Sequence, residues 1–258
     1  MRLRIFGITD KGGLLDKNED RILIDKKVYD SGEVSVTSAS APMIVAVCDG
    51  VGGERGGEIA AEICLRELSK VQYNSLTDMT QVVNDIHNTV LEAASLDEEH
   101  SNMQTTLCAL ALDEKCNCLC VNVGDSRLYR YAGGAATLLS ADHTLVRYLY
   151  DMGEITAAEM KTSPDRNVII SSIGGEKQPQ RIDVTPIREP FGSLEGDTMI
   201  ICSDGITDHL GKTEIEVCMG LDIPFEDKID AIFRLALSRG SSDNLSVIGI
   251  TAADGQTM

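Results

Sequence analysis

At 258 residues, with 43% hydrophobic and 25% charged residues, the chain has an ordinary soluble globular composition and can bury a full core, in one large domain or two small ones. A formal charge of −18 at pH 7 excludes a surface built to neutralise a nucleic-acid backbone, although it suits carboxylates gathered around metal ions. No apolar run reaches the roughly 18 to 20 residues that span a bilayer. Residues 1–7 also lack the apolar core of a signal peptide, so a cytoplasmic chain with its eight cysteines reduced is expected.

In chain order, residues 4–9 read as a strand and residues 22–24 as a second extended run, with the polar cluster Asn18-Glu19-Asp20 between them. Residues 31–41 are small and polar, which predicts an exposed hairpin turn or loop. Residues 43–48 read as a buried strand that delivers Asp49 to its end. Gly50, Gly52, Gly53, Gly56 and Gly57 follow, and bare backbone of this kind admits positive φ and close approach by other atoms. Ile59, Ile63, Leu68 and Val71 share one side of a helical wheel, and residues 79–94 form a second amphipathic pattern. Two helices in succession exclude a simple β-α-β alternation.

Residues 106–112, 117–123, 127–131 and 136–140 are short strands joined by brief turns, the pattern of an antiparallel meander. Cys116, Cys118 and Cys120 alternate, so they share one packed face, and no C-x-x-C pair points to zinc. Residues 142–175 change character. They carry helical pieces at 145–152 and 157–160, then Pro164 and Gly174-Gly175, and read as an insertion over a sheet. Residues 198–202 make another buried strand. Residues 225–238 form a helix with Ile229, Ile232, Phe233 and Ala236 on one face, and Gly240 stops it. Residues 245–250 close the chain as a strand. With no repeat or linker, residues 1–258 are expected to be a single domain.

Three apolar strands end alike, at Asp49, Asp125 and Asp204, and a fourth acid, Asp243, stands just before a strand. In antiparallel pairing the end of one strand and the start of its neighbour share an edge, so all four carboxylates can meet on one rim. One Asp-Gly after a strand is ordinary turn chemistry; four such placements in one acidic chain are not. Carboxylates and carbonyl oxygens without clustered histidine or cysteine favour Mg²⁺ or Mn²⁺ over zinc or copper. Two such ions roughly 3.5 to 4 Å apart can clamp a phosphoryl group around a bridging hydroxide, which implies metal-assisted phosphoester hydrolysis. No Walker A loop, Gly-x-Ser-x-Gly elbow, Cys-x5-Arg loop or calcium-loop pattern is present, and the four histidines are scattered.

These segments resemble, in order and nearly end to end, the PP2C (PPM) family of metal-dependent Ser/Thr protein phosphatases of the compact bacterial kind. The resemblance rests on Thr9-Asp10-x-Gly12 with Asn18-Glu19-Asp20, Asp49-Gly50-Val51-Gly52-Gly53 with Gly57-Glu58, Thr105-Thr106, and Gly124-Asp125-Ser126-Arg127. It continues through Asp142-His143-Thr144, Cys202-Ser203-Asp204-Gly205-Ile206-Thr207-Asp208 and Asp243-Asn244. It implies an α+β fold, a four-layer α-β-β-α sandwich of two antiparallel sheets flanked by helix pairs. It implies that Asp49 bridges two metals, that the Gly50 carbonyl, Asp204 and Asp243 complete the ligands, and that Glu19 acts through water. Asp125 and Asp208 would help hold a third ion, and residues 142–175 would be a flap beside the site. A cytoplasmic monomer is implied, acting through a metal-bound hydroxide on phosphoserine and phosphothreonine in proteins that a Ser/Thr kinase has phosphorylated.

Two positions depart from the family pattern. Leu15 stands where the family usually has a phosphate-binding arginine, and leucine supplies neither charge nor donor. Lys17 is the candidate substitute, with Lys11 and Arg21 as other nearby cations. Val51 stands where eukaryotic members of the family often carry a histidine that protonates the leaving group; bacterial members commonly have a bulky apolar residue there, and a metal-bound water could serve instead. The alternative reading is therefore a weakly active or inactive PP2C-like regulatory or binding module.

Overall fold

The computed structural model describes residues 1–51, 55–175 and 181–253. In chain order, β1 (Arg2–Asp10), β2 (Arg21–Ile24), β3 (Lys27–Tyr29), β4 (Gly32–Ser40) and β5 (Met43–Cys48) precede the helices α1 (Gly57–Ser69) and α2 (Met79–Ser95). Next come β6 (Gln104–Thr105), β7 (Leu107–Leu112), β8 (Cys118–Val123), β9 (Arg127–Ala132) and β10 (Ala135–Leu138). The short helices α3 (Leu145–Asp151) and α4 (Ala157–Thr162) lead to β11 (Ile173–Gly174), β12 (Asp183–Ile187) and β13 (Thr198–Cys202). The chain then runs through α5 (Asp204–Thr207), α6 (Lys212–Met219), α7 (Phe225–Ser238) and β14 (Leu245–Ala252).

Two six-stranded sheets result, ordered β10-β9-β13-β14-β1-β4 and β12-β8-β7-β5-β2-β3, and every pairing is antiparallel. Alternation along the central strands separates three apolar layers. On β5, Val45 and Val47 face the other sheet, while Ile44, Ala46 and Cys48 face α1 and α2. On β13, Met199 and Ile201 point between the sheets, whereas Ile200 and Cys202 meet the helices on the other side. The outcome is the four-layer α-β-β-α sandwich expected from the resemblance. Strands buried on both faces explain why these segments read as continuous apolar runs.

Helix α7 follows its predicted face, whereas α1 ends at Ser69, short of Val71, and buries Ala60, Ala61, Cys64, Leu65 and Leu68 with Ile59 and Ile63 only half-buried at the margin. Ile229, Ile232 and Ala236 of α7 are fully buried, Phe233 packs at the margin, and Gly240 turns the chain at φ +86°. Asp78 caps α2, accepting from the N–H groups of Thr80 and Gln81. All eight cysteines are buried thiols, and Cys116, Cys118 and Cys120 share the layer between the sheets.

The expected loop is a strand. Residues 31–41 are not a loop, because residues 32–40 form β4, an edge strand paired along β1. Its polar side chains face solvent and only Val34, Val36 and Ala39 turn inward, so the hydrophobic contrast that marks a half-buried strand is nearly absent.

Candidate active site

Strand pairing brings the acids together. Cys202 at the end of β13 pairs with Val247 near the start of β14, so Asp204 and Asp243 occupy one end of the first sheet. In the second sheet Arg21 opposes Cys48, which sets Glu19 and Asp20 beside Asp49. Two contacts join the sheets at this rim: Ser203 Oγ donates to Asp20 Oδ2 at 2.8 Å, and Glu19 N–H donates to Asn244 Oδ1 at 2.7 Å.

Two threonines secure Asp49. Its carbonyl accepts from Thr106 N–H at 2.8 Å and from Thr105 Oγ1 at 2.9 Å, and its own N–H donates to Thr106 Oγ1 at 3.0 Å. Thr106 Oγ1 also bonds Ser126 Oγ at 3.0 Å, which ties Asp49 to the turn that carries Asp125.

Three glycines are required by close packing. A Cβ on Gly50 would lie 2.4 Å from the Gly57 carbonyl carbon, and one on Gly57 would lie 2.8 Å from Glu19 Oε2. A Cβ on Gly205 would lie 1.9 Å from the Asn244 carbonyl oxygen. Backbone is therefore packed on backbone where the carboxylates meet. Gly52 and Gly53 lie outside the described residues.

Crowding raises the cost of ionisation. Burial, and then the neighbouring Asp204 and Asp20 charges, push the Asp49 carboxyl well above the ordinary aspartate range. Burial lifts Asp204 to about 6 while a hydrogen bond from Asp49 opposes it. Burial, opposed by the serine hydroxyls and reinforced by Asp204 and Asp243, lifts Asp20 to about 7. Burial, then Asp204 and Asp142, raises Asp125 as well. Glu19 is raised by burial and then by Glu58.

The remaining candidates lie around this cluster. Asp243 and Asp208 are at its solvent edge, and Asp208 Oδ2 accepts from Asn167 Nδ2 at 2.8 Å, a contact from the 142–175 segment. That segment is anchored at both ends, by a bridge between Thr144 and Ile169 and by β11 paired with β6. Lys17 points to Glu58 at 3.1 Å with its side chain 71% exposed, and Arg21 is engaged with Glu62 and the carbonyls of Asn18 and Asp20. Leu15 is 39% exposed and Lys11 is exposed. Val51 donates its N–H to the Gln104 carbonyl at 3.1 Å.

Asp20 escaped selection from sequence, although it is wholly buried in the centre of the cluster. Its signal was present: it immediately precedes a strand, as Asp243 nearly does.

The donor set fits a hard divalent cation. Asp20, Asp125 and Asp204 each keep a buried Oδ1 without a hydrogen-bond partner, every candidate ligand is oxygen, and positive charge would relieve the repulsion that raises these groups. Among the described residues the side chains are neighbours rather than a closed cage, since no three of them surround one point.

A family model described as Protein phosphatase 2C matches residues 29–248. The Protein phosphatase PhpP of Streptococcus pneumoniae serotype 2 (strain D39) is 32% identical over 222 residues, covering 82% of this chain and 86% of its own. The fold is similar to the S. agalactiae serine/threonine phosphatase, with TM-score 0.80, 25% identity, and coverage of 97% of this chain and 99% of that one. It is also similar to the catalytic domain of the serine/threonine protein phosphatase PstP, determined in complex with two manganese ions, with TM-score 0.75, 24% identity, and coverage of 98% and 99%.

Proposed function

The chain belongs to the protein phosphatase 2C family and is a protein phosphatase, a hydrolase, and on that premise we propose that it hydrolyses phosphoserine and phosphothreonine in proteins at a dinuclear Mg²⁺ or Mn²⁺ centre. The observation that carries this reading is the meeting of Asp49, Asp204 and Asp20 at one rim, with buried oxygens that lack partners. The two manganese ions of the PstP catalytic domain support it.

Asp49, the Gly50 carbonyl, Asp204 and Asp243 would hold the cations, with Glu19 acting through water and Asp125 and Asp208 serving a looser third ion. Bound there, the cations supply charge against the phosphoryl oxygens and a water acidic enough to attack phosphorus without a phosphoenzyme. Thr105 and Thr106 fix the Asp49 main chain, so its carboxylate needs little reorganisation. The Gly50 and Gly57 contact leaves backbone, not side chain, beside Glu19. The substrates are phosphoproteins, products of a Ser/Thr kinase.

Leu15 favours a second reading, a domain that binds phosphoprotein with slow turnover, because its position carries no charge for phosphate. Release of phosphate from a phosphothreonine peptide, with and without Mn²⁺, separates the two. Metal-dependent turnover that falls by at least about 10²-fold in Asp204→Asn supports the enzyme. Undetectable wild-type turnover across metals and pH supports the binding module, and unchanged turnover in Asp204→Asn removes the proposed centre.

A further inference from the structure

Just outside the carboxylate rim, one buried side chain ties together three stretches of the chain. His143 has no exposed surface. Its main-chain N–H donates to the Gly124 carbonyl at 2.9 Å, and Gly124 N–H donates back to His143 Nδ1 at 3.2 Å. The His143 carbonyl accepts from Ile170 N–H at 2.9 Å, so the same residue closes the base of the 142–175 segment.

Because Nδ1 accepts, the ring proton resides on Nε2, which faces Asp183 Oδ2 at 3.1 Å. That approach is off the hydrogen-bonding axis, so Asp183 orients the ring electrostatically rather than through a full bond. Burial holds the imidazole below its usual range, with Asp183 opposing. Asp183 itself is clamped by Arg181, whose Nε and Nη2 reach its two oxygens at 3.0 Å each.

Gly124 has little room to adjust. Its φ is +105°, and a Cβ there would stand 2.6 Å from Thr106 Cγ2. Its carbonyl also accepts from Asn122 Nδ2 at 3.1 Å, and the same nitrogen donates to the Ala141 carbonyl at 2.9 Å. The next residue is Asp125, with its unpartnered buried oxygen. Gly124 leads directly into Asp125, and His143 bonds both peptides that flank the Gly124 Cα, through its main-chain N–H and its ring.

We propose that His143 is a positioning residue that couples the seating of the 142–175 flap to the placement of Asp125. The link to metal rests on the reading that Asp125 faces a cation; the link between flap and turn does not. A ring that merely filled space would be replaced equally well by any side chain of similar size. A coupling residue distinguishes its two nitrogens.

Two substitutions separate those nitrogens. His143→Asn puts an amide oxygen near the Nδ1 position and keeps an acceptor for Gly124 N–H. His143→Gln puts an amide nitrogen near the Nε2 position and leaves Gly124 N–H without an acceptor. Hydrogen exchange is measured on the metal-free full chain, and Mn²⁺ binding is measured by calorimetry on the same proteins. His143→Gln is expected to speed exchange in residues 122–127 and 168–171 by about 10-fold and to weaken the loosest Mn²⁺ event by about 10-fold, whereas His143→Asn stays near wild type in both. The proposal is overturned if the two variants behave alike, or if both lower only the melting temperature.

Should His143→Gln fail to fold, Asp183→Asn keeps the Gly124 bond but loosens the ring. It is expected to move both readouts the same way by a smaller factor, and no movement in either overturns the coupling. A wild type that takes up no Mn²⁺ contradicts the proposed centre and removes the metal half of the inference. The exchange comparison still decides the coupling between flap and turn.

Discussion

Leu15 lies on the loop that leads into Glu19 and Asp20, and Asn244 holds this loop against the start of β14 by donating to the Lys11 and Lys17 carbonyls at 3.1 and 2.9 Å. A guanidinium at position 15 would have the reach and fork geometry for phosphate that leucine lacks. Leu15→Arg is expected to lower KM for a phosphothreonine peptide by about 10-fold or more, the size of one charge-assisted hydrogen bond, with kcat little changed. Steady-state kinetics that show an unchanged KM would mean the phosphate is gripped elsewhere. Lys17 was the sequence candidate for that grip, and it is occupied by Glu58, a partner 41 residues away that no local pattern reveals. Asp49, Asp125, Asp204 and Asp243 were legible because each stands at a strand terminus. His143 was not, because its value lies in a contact with Gly124 that only the fold creates.

At the scale of elements, apolar pattern and burial agree on α7, whereas on α1 the small residues Ala60, Ala61 and Cys64 share the inner face with Leu65 and Leu68, and Ile59 and Ile63 stand at its margin. On α7, Ile232 is fully buried against the first sheet while Leu237 is 40% exposed on the same helix. Ile232→Ala is expected to cost about 2–5 kcal/mol in chemical denaturation and Leu237→Ala less than about 0.5 kcal/mol, in line with cavity formation at one site and none at the other. Equal costs would contradict the assignment of the inner face. The strand β4 was illegible for the complementary reason: at a sheet edge its residues gain backbone pairing with β1 but little burial, so composition imitates a loop. The α-β-β-α order was not readable from periodicity at all. Periodicity gives element type, whereas the neighbours β13-β14-β1 are joined across nearly the whole chain, and family resemblance supplied that layer order.

For the whole molecule, the carboxylate cluster links stability to pH and to metal. The folded, metal-free protein holds protons on Asp20 (about 7) and Asp204 (about 6) that the unfolded chain, with ordinary values of 3.8, releases earlier. Stability from these groups is therefore fully present below about pH 4 and is lost as pH rises to about 7. Thermal melts of the chelated protein should show a higher midpoint near about pH 5 than near about pH 7.5, and Asp20→Asn should flatten that difference. At the higher pH, Mn²⁺ should raise the midpoint further with each increase in its concentration, because it binds the folded state alone. A metal-free midpoint that rises over the same pH interval would contradict the crowding of these acids.

The proposed function requires that the strand ends gather Asp49, Asp204 and Asp243 to hold divalent cations. Anomalous diffraction from crystals grown with Mn²⁺, recorded near the manganese absorption edge, tests it most directly. Peaks among Asp49, Asp204, Asp243 and the Gly50 carbonyl, absent from Asp49→Asn crystals grown the same way, are the expected result. A wild-type map without peaks at that rim, or with manganese only at other surface acids, would contradict the claim.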